Sequence, residues 1–398
     1  MSLSIPNPLH DGDGTSTRAR RRGHPWSLAV AASVWLLSAV ACVDGATEET
    51  AGGAAGAGGS AGIAGSAAAG KGGSTSGTGG GKGGSAAGGT SGKGGGGSAG
   101  SGGSAGSGGN LNPGAKFVGN ITTANQVRSD FANYWDQITP ENEGKWGSVE
   151  QNRDQMNWSA MDRIHDYARQ NGLLFKQHTF VWGSQQPGWV AGLSQSEQAA
   201  EVEEWIRLFC ERYPDVDMID VVNEPPPHTT PTYLNALGGA GQSGYDWIIQ
   251  AFRWARQYCP NATLILNDYN VLRYGDADHF IEIANAVKGS GLVDALGSQS
   301  HDHEDQELSD LEMRLNNLIA VGLPIYITEY DVSTADDDRQ LRIYQEQFPL
   351  FFETPEIKGI TIWGYIYGET WSQAPDSGLI RNGQPRPAMT WLMQYLGR

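Results

Sequence analysis

The sequence predicts an α/β protein, a (β/α)8 barrel, over residues 113–398. Three observations predict it. Short apolar, β-rich runs alternate with stretches of helical periodicity. There are eight such runs in a segment of the size one barrel needs. Polar side chains pile up immediately after the runs, where barrels of this class carry their chemistry. An open doubly wound sheet is the alternative architecture, but no Gly-rich phosphate turn follows the first run.

The β-rich runs fall at 117–121, 134–138, 173–182, 218–222, 263–266, 292–297, 324–328 and 360–366. Between them, Trp158, Met161, Ile164 and Ala168 form one stripe at helical spacing. Trp247, Ala251, Trp254 and Tyr258 form a second, and Leu308, Leu311, Leu315 and Leu318 a third. Asp336, Asp337 and Asp338 precede a helix expected to begin near Gln340, where negative charge favours the helix dipole. Cys210 and Cys259 fall late in two successive helices, the third and fourth. In an oxidising compartment they can pair, and two buried thiols are the other reading.

Upstream of the barrel the composition changes. The chain has 398 residues and 56 glycines, and 29 of those lie in residues 51–110, a Gly/Ala/Ser/Thr stretch with three lysines and no material for a core. Residues 42–112 therefore read as a disordered linker that behaves as a random coil. Residues 1–41 read as a signal peptide: Arg18, Arg20, Arg21 and Arg22 form a basic start, and the apolar run 28–40 is too short to span a bilayer. Ala39-Val40-Ala41 precedes Cys42, an arrangement that resembles the lipobox of bacterial lipoproteins, with Ala39 where Leu is usual. The expectation is an exported chain, tethered to a membrane through lipidated Cys42 or simply secreted.

Residues 111–398 hold 20 Lys and Arg against 39 Asp and Glu, which argues against nucleic acid or anionic lipid as a partner of the folded part. Three cysteines in all are too few for a disulfide scaffold and lack zinc-like spacing. His301, His303, Glu304 and Asp305 do not complete a metal ligand set, and they are expected to form a solvated loop. No metal or cofactor is expected.

The strand-end polar residues are Thr139-Pro140-Glu141-Asn142, His178, Asn223-Glu224, Asn267-Asp268, Gln299-Ser300-His301 and Glu329. Two glutamates carry the chemical reading. Glu224 ends the fourth strand and Glu329 the seventh, so both belong at the barrel mouth. Glycoside cleavage needs two carboxyl groups, one to protonate the leaving oxygen and one to attack or to activate water.

At these residues the chain resembles a glycoside hydrolase family 10 endo-β-1,4-xylanase over nearly all of 113–398. Thr139-Pro140-Glu141-Asn142 with Lys145-Trp146 is similar to the family's TPEN-x-x-KW element, and His178-Thr179-Phe180-Val181-Trp182 with Ser184-Gln185 to its HTLVWHSQ element. Asp220-Val221-Val222-Asn223-Glu224-Pro225, Asn267-Asp268-Tyr269-Asn270, Gln299-Ser300-His301, Ile327-Thr328-Glu329 and Trp363-Gly364 through Trp371 follow in family order. The resemblance implies retaining cleavage of internal xylosidic bonds, with xylan or xylo-oligosaccharide as partner; separately, a monomer is expected. Another β-1,4-glycanase and a non-catalytic polysaccharide-binding protein are the rival functions.

Carried across by position, Glu224 is the expected acid/base and Glu329 the nucleophile. Asn223 is expected on the sugar 2-hydroxyl, and His301 and Gln299 to orient and ionise Glu329, while Glu224 stays protonated. Glu141, Asn142, Lys145, His178 and Gln185 are expected to hold the glycone hydroxyls. Trp363 and Trp371 are expected to line the sugar platform, and Trp182 either to join them or to pack. Five positions depart from the pattern: Gly183 stands where His is usual, Gln177 for Gly, Lys176 for Arg, Gly144 for Met and Tyr367 for Asp.

Overall fold

The structure, a computed structural model, describes residues 116–398 apart from Tyr274. The expected signal peptide 1–41, Cys42 and the linker 42–112 lie outside the described residues. Eight parallel strands close a barrel in sequence order: β1 Phe117–Ile121, β2 Gln137–Thr139, β3 Leu174–Val181, β4 Met218–Asn223, β5 Thr263–Asp268, β6 Ala295–Ser298, β7 Ile325–Tyr330 and β8 Ile357–Ile362. All are buried on nearly every residue, so most read as short apolar runs rather than alternating ones; β3 departs from this, with Lys176, Gln177, His178 and Thr179 at its centre.

Around the barrel lie α1 Trp146–Val149, α2 Ser159–Asn171, α3 Gln195–Arg212, α4 Asp246–Tyr258, α5 Ala277–Lys288, α6 Leu308–Ile319, α7 Asp337–Glu353 and α8 Pro387–Tyr395. Most of the stripes read from the sequence are inner faces: Met161, Ile164 and Ala168 of α2, and Leu311, Leu315 and Leu318 of α6, are covered, whereas Leu308 at the start of α6 is exposed. The helix ends follow local chemistry. Ser194 and Glu197 form a reciprocal capping box on α3. The side chain of Asp336 accepts from the N–H groups of Asp338 and Arg339, so α7 starts at Asp337, three residues before the expected point.

Two boundaries, the start of β2 and the end of β8, differ for one physical reason: burial outside the sheet looks like burial inside it. No full helix joins β1 to β2, only a 3-10 turn at Phe131–Asn133. Tyr134 and Trp135, read as strand, instead pack with Tyr365, and β2 begins at Gln137. The eighth strand starts at Ile357 and ends at Ile362, and the apolar run continues beyond it because Tyr365 and Ile366 are buried under the following loop. A two-stranded hairpin in that loop, β9 Ile380–Arg381 with β10 Gln384–Pro385, was not legible in the sequence.

Cys210, on α3, and Cys259, capping α4, form a disulfide across 49 residues of sequence. Inside the barrel, Phe117, Met218, Ile265 and Ala295 gather near the strands' first residues, with Leu174 and Tyr326 packed on them. Higher up the buried residues turn polar: Lys176, Gln177, His178, Asp220, Asn223, Asn267 and Glu329. The apolar floor fixes the strands, and the polar layer above it faces the mouth.

Candidate active site

Glu224 follows β4 directly and takes a left-handed backbone, φ 50°. Two donors hold its carboxyl: Trp182 Nε1 to Oε2 at 2.8 Å and Gln299 Nε2 to Oε1 at 2.9 Å. Glu329 lies in β7 and is buried. Asn267 Nδ2 donates to its Oε1 at 3.0 Å, His301 Nε2 lies 3.4 Å from its Oε2, and His178 Nδ1 stands 4.0 Å from Oε1. Asn267 and Asn223 are register partners on β5 and β4, so Asn267 Nδ2 also reaches Asn223 Oδ1 at 2.8 Å. Gln299 Nε2 reaches the same oxygen at 3.3 Å. One amide network therefore carries both carboxyls.

The charges around Glu329 set its state. Burial pushes the carboxyl up, but the His301 hydrogen bond and the positive fields of His178, His301 and Lys176 outweigh it, holding Glu329 at about 2. Burial likewise opposes a charge on His301. The Asp331 carboxylate, 2.9 Å from Nδ1, and Glu329 win, raising the imidazole to about 10. Asp331, His301 and Glu329 are thus an anion–cation–anion row. Behind it, Asp220 Oδ2 takes His178 Nδ1 at 2.9 Å and Lys176 Nζ at 3.1 Å.

The expected site residues converge, with one correction. Gln299 does not orient Glu329: its amide is spent on Glu224 and Asn223, because the β6 end where it sits brings it to the β4 end. The second donor to Glu329 is Asn267, which the sequence shows as a strand-end polar residue without revealing its partner. Asp331 was also missed, although it lies two residues beyond Glu329 on the same strand path, the spacing that puts side chains on one face. Trp182 bonds Glu224 rather than serving only as packing.

Asn142 Oδ1 accepts from Lys145 Nζ at 2.9 Å and Gln185 Nε2 at 3.3 Å, and Lys145 Nζ lies 4.9 Å from the Trp182 ring centre. Burial lowers the Lys145 ammonium and raises Glu141, whose backbone N–H is held by Thr122. Trp363 meets His178 edge-on at 5.4 Å, while Trp371 lies 4.6 Å from the His301 ring and donates Nε1 to Asp331 at 2.8 Å. The Nδ2 of buried Asn223 has no partner among the described residues, leaving a donor beside both carboxyls.

The side chains of the 303–305 loop bond protein groups rather than lying free. His303 Nδ1 pairs with Gln306, Glu304 accepts from Ser333 N, and Asp305 meets Arg339 at 2.6 Å. Elsewhere Glu150, Asp154 and Glu201 bring carboxylate oxygens within 4.8 Å of one another. There Arg153 meets Glu201, and Trp146 Nε1 and Asp154 N meet Glu150.

Residues 109–395 match the profile of Glycosyl hydrolase family 10. The chain belongs to this family. It is 50% identical over 287 residues to endo-1,4-beta-xylanase B of Cellvibrio japonicus, covering 71% of this chain and 46% of that protein, so this chain spans about half the length of that relative. It is 31% identical over 273 residues to endo-1,4-beta-xylanase 3 of Hypocrea jecorina (strain QM6a), 65% of this chain and 75% of the relative. Among solved structures, xylanase 10B from Thermotoga petrophila in complex with xylobiose aligns with TM-score 0.61 and 26% identity, over 71% of this chain and 94% of that one.

Two departures from the family 10 pattern compensate one another. A Cβ at Gly144 would stand 2.7 Å from Gln177 Oε1 and 2.8 Å from His178 O. The side chain missing at 144 thus leaves the space that Gln177 fills, and Gln177 Nε2 donates to Gly144 O at 2.6 Å. Lys176 keeps a buried cation on Asp220. Tyr367 recruits a carboxylate from farther along its loop, donating its hydroxyl to Asp376, with the Arg381 guanidinium 4.2 Å from its ring centre.

Proposed function

We propose that this chain is an endo-β-1,4-xylanase that cleaves xylan with retention of configuration. The observation that carries the mechanism is the setting of Glu329, a buried carboxyl kept ionised by an imidazolium and aimed at the barrel mouth. It attacks the anomeric carbon, and the glycosidic C–O bond breaks as Glu224 delivers a proton to the departing oxygen. Water then attacks the glycosyl-enzyme, Glu224 takes its proton, and Glu329 leaves as a carboxylate. Two inversions give net retention. Asn223 Nδ2 supplies the donor for the 2-hydroxyl, a contact that tightens in the transition state.

Glu141, Asn142, Lys145, His178 and Gln185 take the glycone hydroxyls, and Trp363 and Trp371 offer ring faces to the apolar faces of the sugars. The names of the relatives support xylan as substrate. The test is product analysis on xylan, arabinoxylan and carboxymethyl-cellulose in parallel, with the anomer followed by NMR. Xylo-oligosaccharides formed first as β-anomers are expected. Faster release from carboxymethyl-cellulose, or α-anomers, would refute the assignment.

We also propose, from the N-terminal sequence alone, that the enzyme acts outside the cytoplasm. In this reading residues 42–112 are a tether and Cys42 is an acylated mature terminus. Mass spectrometry of the natively expressed chain tests this, and a mature N-terminus other than acylated Cys42 would refute the tether.

A further inference from the structure

The carboxyl of Glu224 is held by Trp182 and Gln299, but its backbone has a separate restraint. A non-glycine residue at φ 50° keeps that conformation only where its surroundings impose it. The Glu224 N–H donates to Asn267 O at 2.9 Å. Its carbonyl accepts twice from one residue, Thr229, from N at 3.1 Å and from Oγ1 at 2.7 Å. The same hydroxyl oxygen accepts from Gly183 N at 3.2 Å. Gly183 follows Trp182, so a closed ring runs from Trp182 through Gly183, Thr229 and Glu224 back to the Trp182 indole.

The approach that allows this ring needs glycine. A Cβ at Gly183 would stand 2.5 Å from Thr230 N and 2.7 Å from Thr230 C, both backbone atoms that cannot swing aside. A second tie lies just outside, where Gln186 Oε1 accepts from Thr232 N and Oγ1, each at 3.1 Å. The loop after β4 is thereby clasped to the loop after β3.

We infer that the Thr229 hydroxyl, seated on Gly183, is a positioning group for Glu224, fixing the turn that aims its carboxyl at the leaving oxygen. The inference rests on the acid/base reading of Glu224. Thr229→Val keeps the shape and removes both hydroxyl bonds. Misplacement of about 1 Å costs on the order of 10²-fold in rate, so kcat on xylan is expected to fall roughly 10- to 100-fold with KM little changed. The kcat/KM for an aryl xyloside with a good leaving group, which barely needs the proton, is expected to fall less than threefold.

Thr229→Ser restores xylan activity, and Gly183→Ala, in which the loop must shift, shows the same split between substrates. Glu224→Ala, run alongside, is expected to show a larger split. Equal losses on both substrates in Thr229→Val, or no loss on xylan, would overturn the positioning role while leaving the reading of Glu224 intact. Absence of the split in Glu224→Ala would remove both.

Discussion

His301→Gln isolates the imidazolium that keeps Glu329 ionised. Holding a carboxyl at about 2 rather than its ordinary 4.5 corresponds to about 3 kcal/mol at 1.36 kcal/mol per pH unit. In the variant the hydrogen bond and charge of His301 are lost, and burial, the strongest single influence on Glu329, is then opposed by the fields of His178 and Lys176 and the Asn267 hydrogen bond. The carboxyl is expected to titrate at or above its ordinary value, so at pH 4 most of the nucleophile is protonated in the variant and almost none in the wild type. The assay is kcat/KM for a dinitrophenyl β-xyloside between pH 3.5 and 7, where the need for an acid is small and the acid limb reports Glu329. The limb should enter this window in the variant only, with folding checked by circular dichroism at each pH. An unchanged limb would refute the reasoning. The same pair sets a stability window. Glu329, lowered, contributes stability present above about pH 4.5 and lost as pH falls towards 2; His301, raised, contributes stability present below about 6.5 and lost as pH rises through 10. The joint contribution is greatest between those two limits.

Three further outcomes are expected. Glu224→Ala should lose roughly 10²–10⁴-fold on xylan, accept azide on an activated aryl xyloside and yield the β-xylosyl azide; an α-azide, seen by NMR, would mean the two glutamates have exchanged roles. Gly144→Ala should lower stability by about 1–3 kcal/mol through overpacking against Gln177 and His178, and adding Gln177→Gly should recover part of it in denaturant unfolding, whereas additive losses would show that the two positions do not compensate. Cys210→Ser with Cys259→Ser should cost about 2–4 kcal/mol, since the bond closes a loop of 49 residues; an unchanged thermal midpoint would count against it.

The amino-acid sequence by itself determined the barrel, its eight strands and the placing of Glu224 and Glu329 at strand ends. A strand covered on both faces is largely apolar, and the polar residues that interrupt such runs, as Lys176, Gln177 and His178 do in β3 and Asp220 in β4, are buried with hydrogen-bonded or charged partners. The helical stripes were legible for the same reason, because one face of each helix is covered. Boundaries were less so. Trp135, Tyr365 and Ile366 are as apolar and as buried as strand residues, and Tyr134 is half-buried beside them, yet all four pack outside the sheet, and nothing local distinguishes the two kinds of burial. The partners of the site were decided only by tertiary structure. Gln299 serves Glu224 rather than Glu329, and Asn267 bridges Asn223 and Glu329, because neighbouring strands place those amides across the mouth. Gly144 and Gln177 are 33 residues apart and read singly as two departures; in space they share one volume. Chain order sets which side chains reach the mouth of the barrel, but the few ångströms that select a hydrogen-bond partner there depend on strand register and loop closure, which involve residues far apart in sequence.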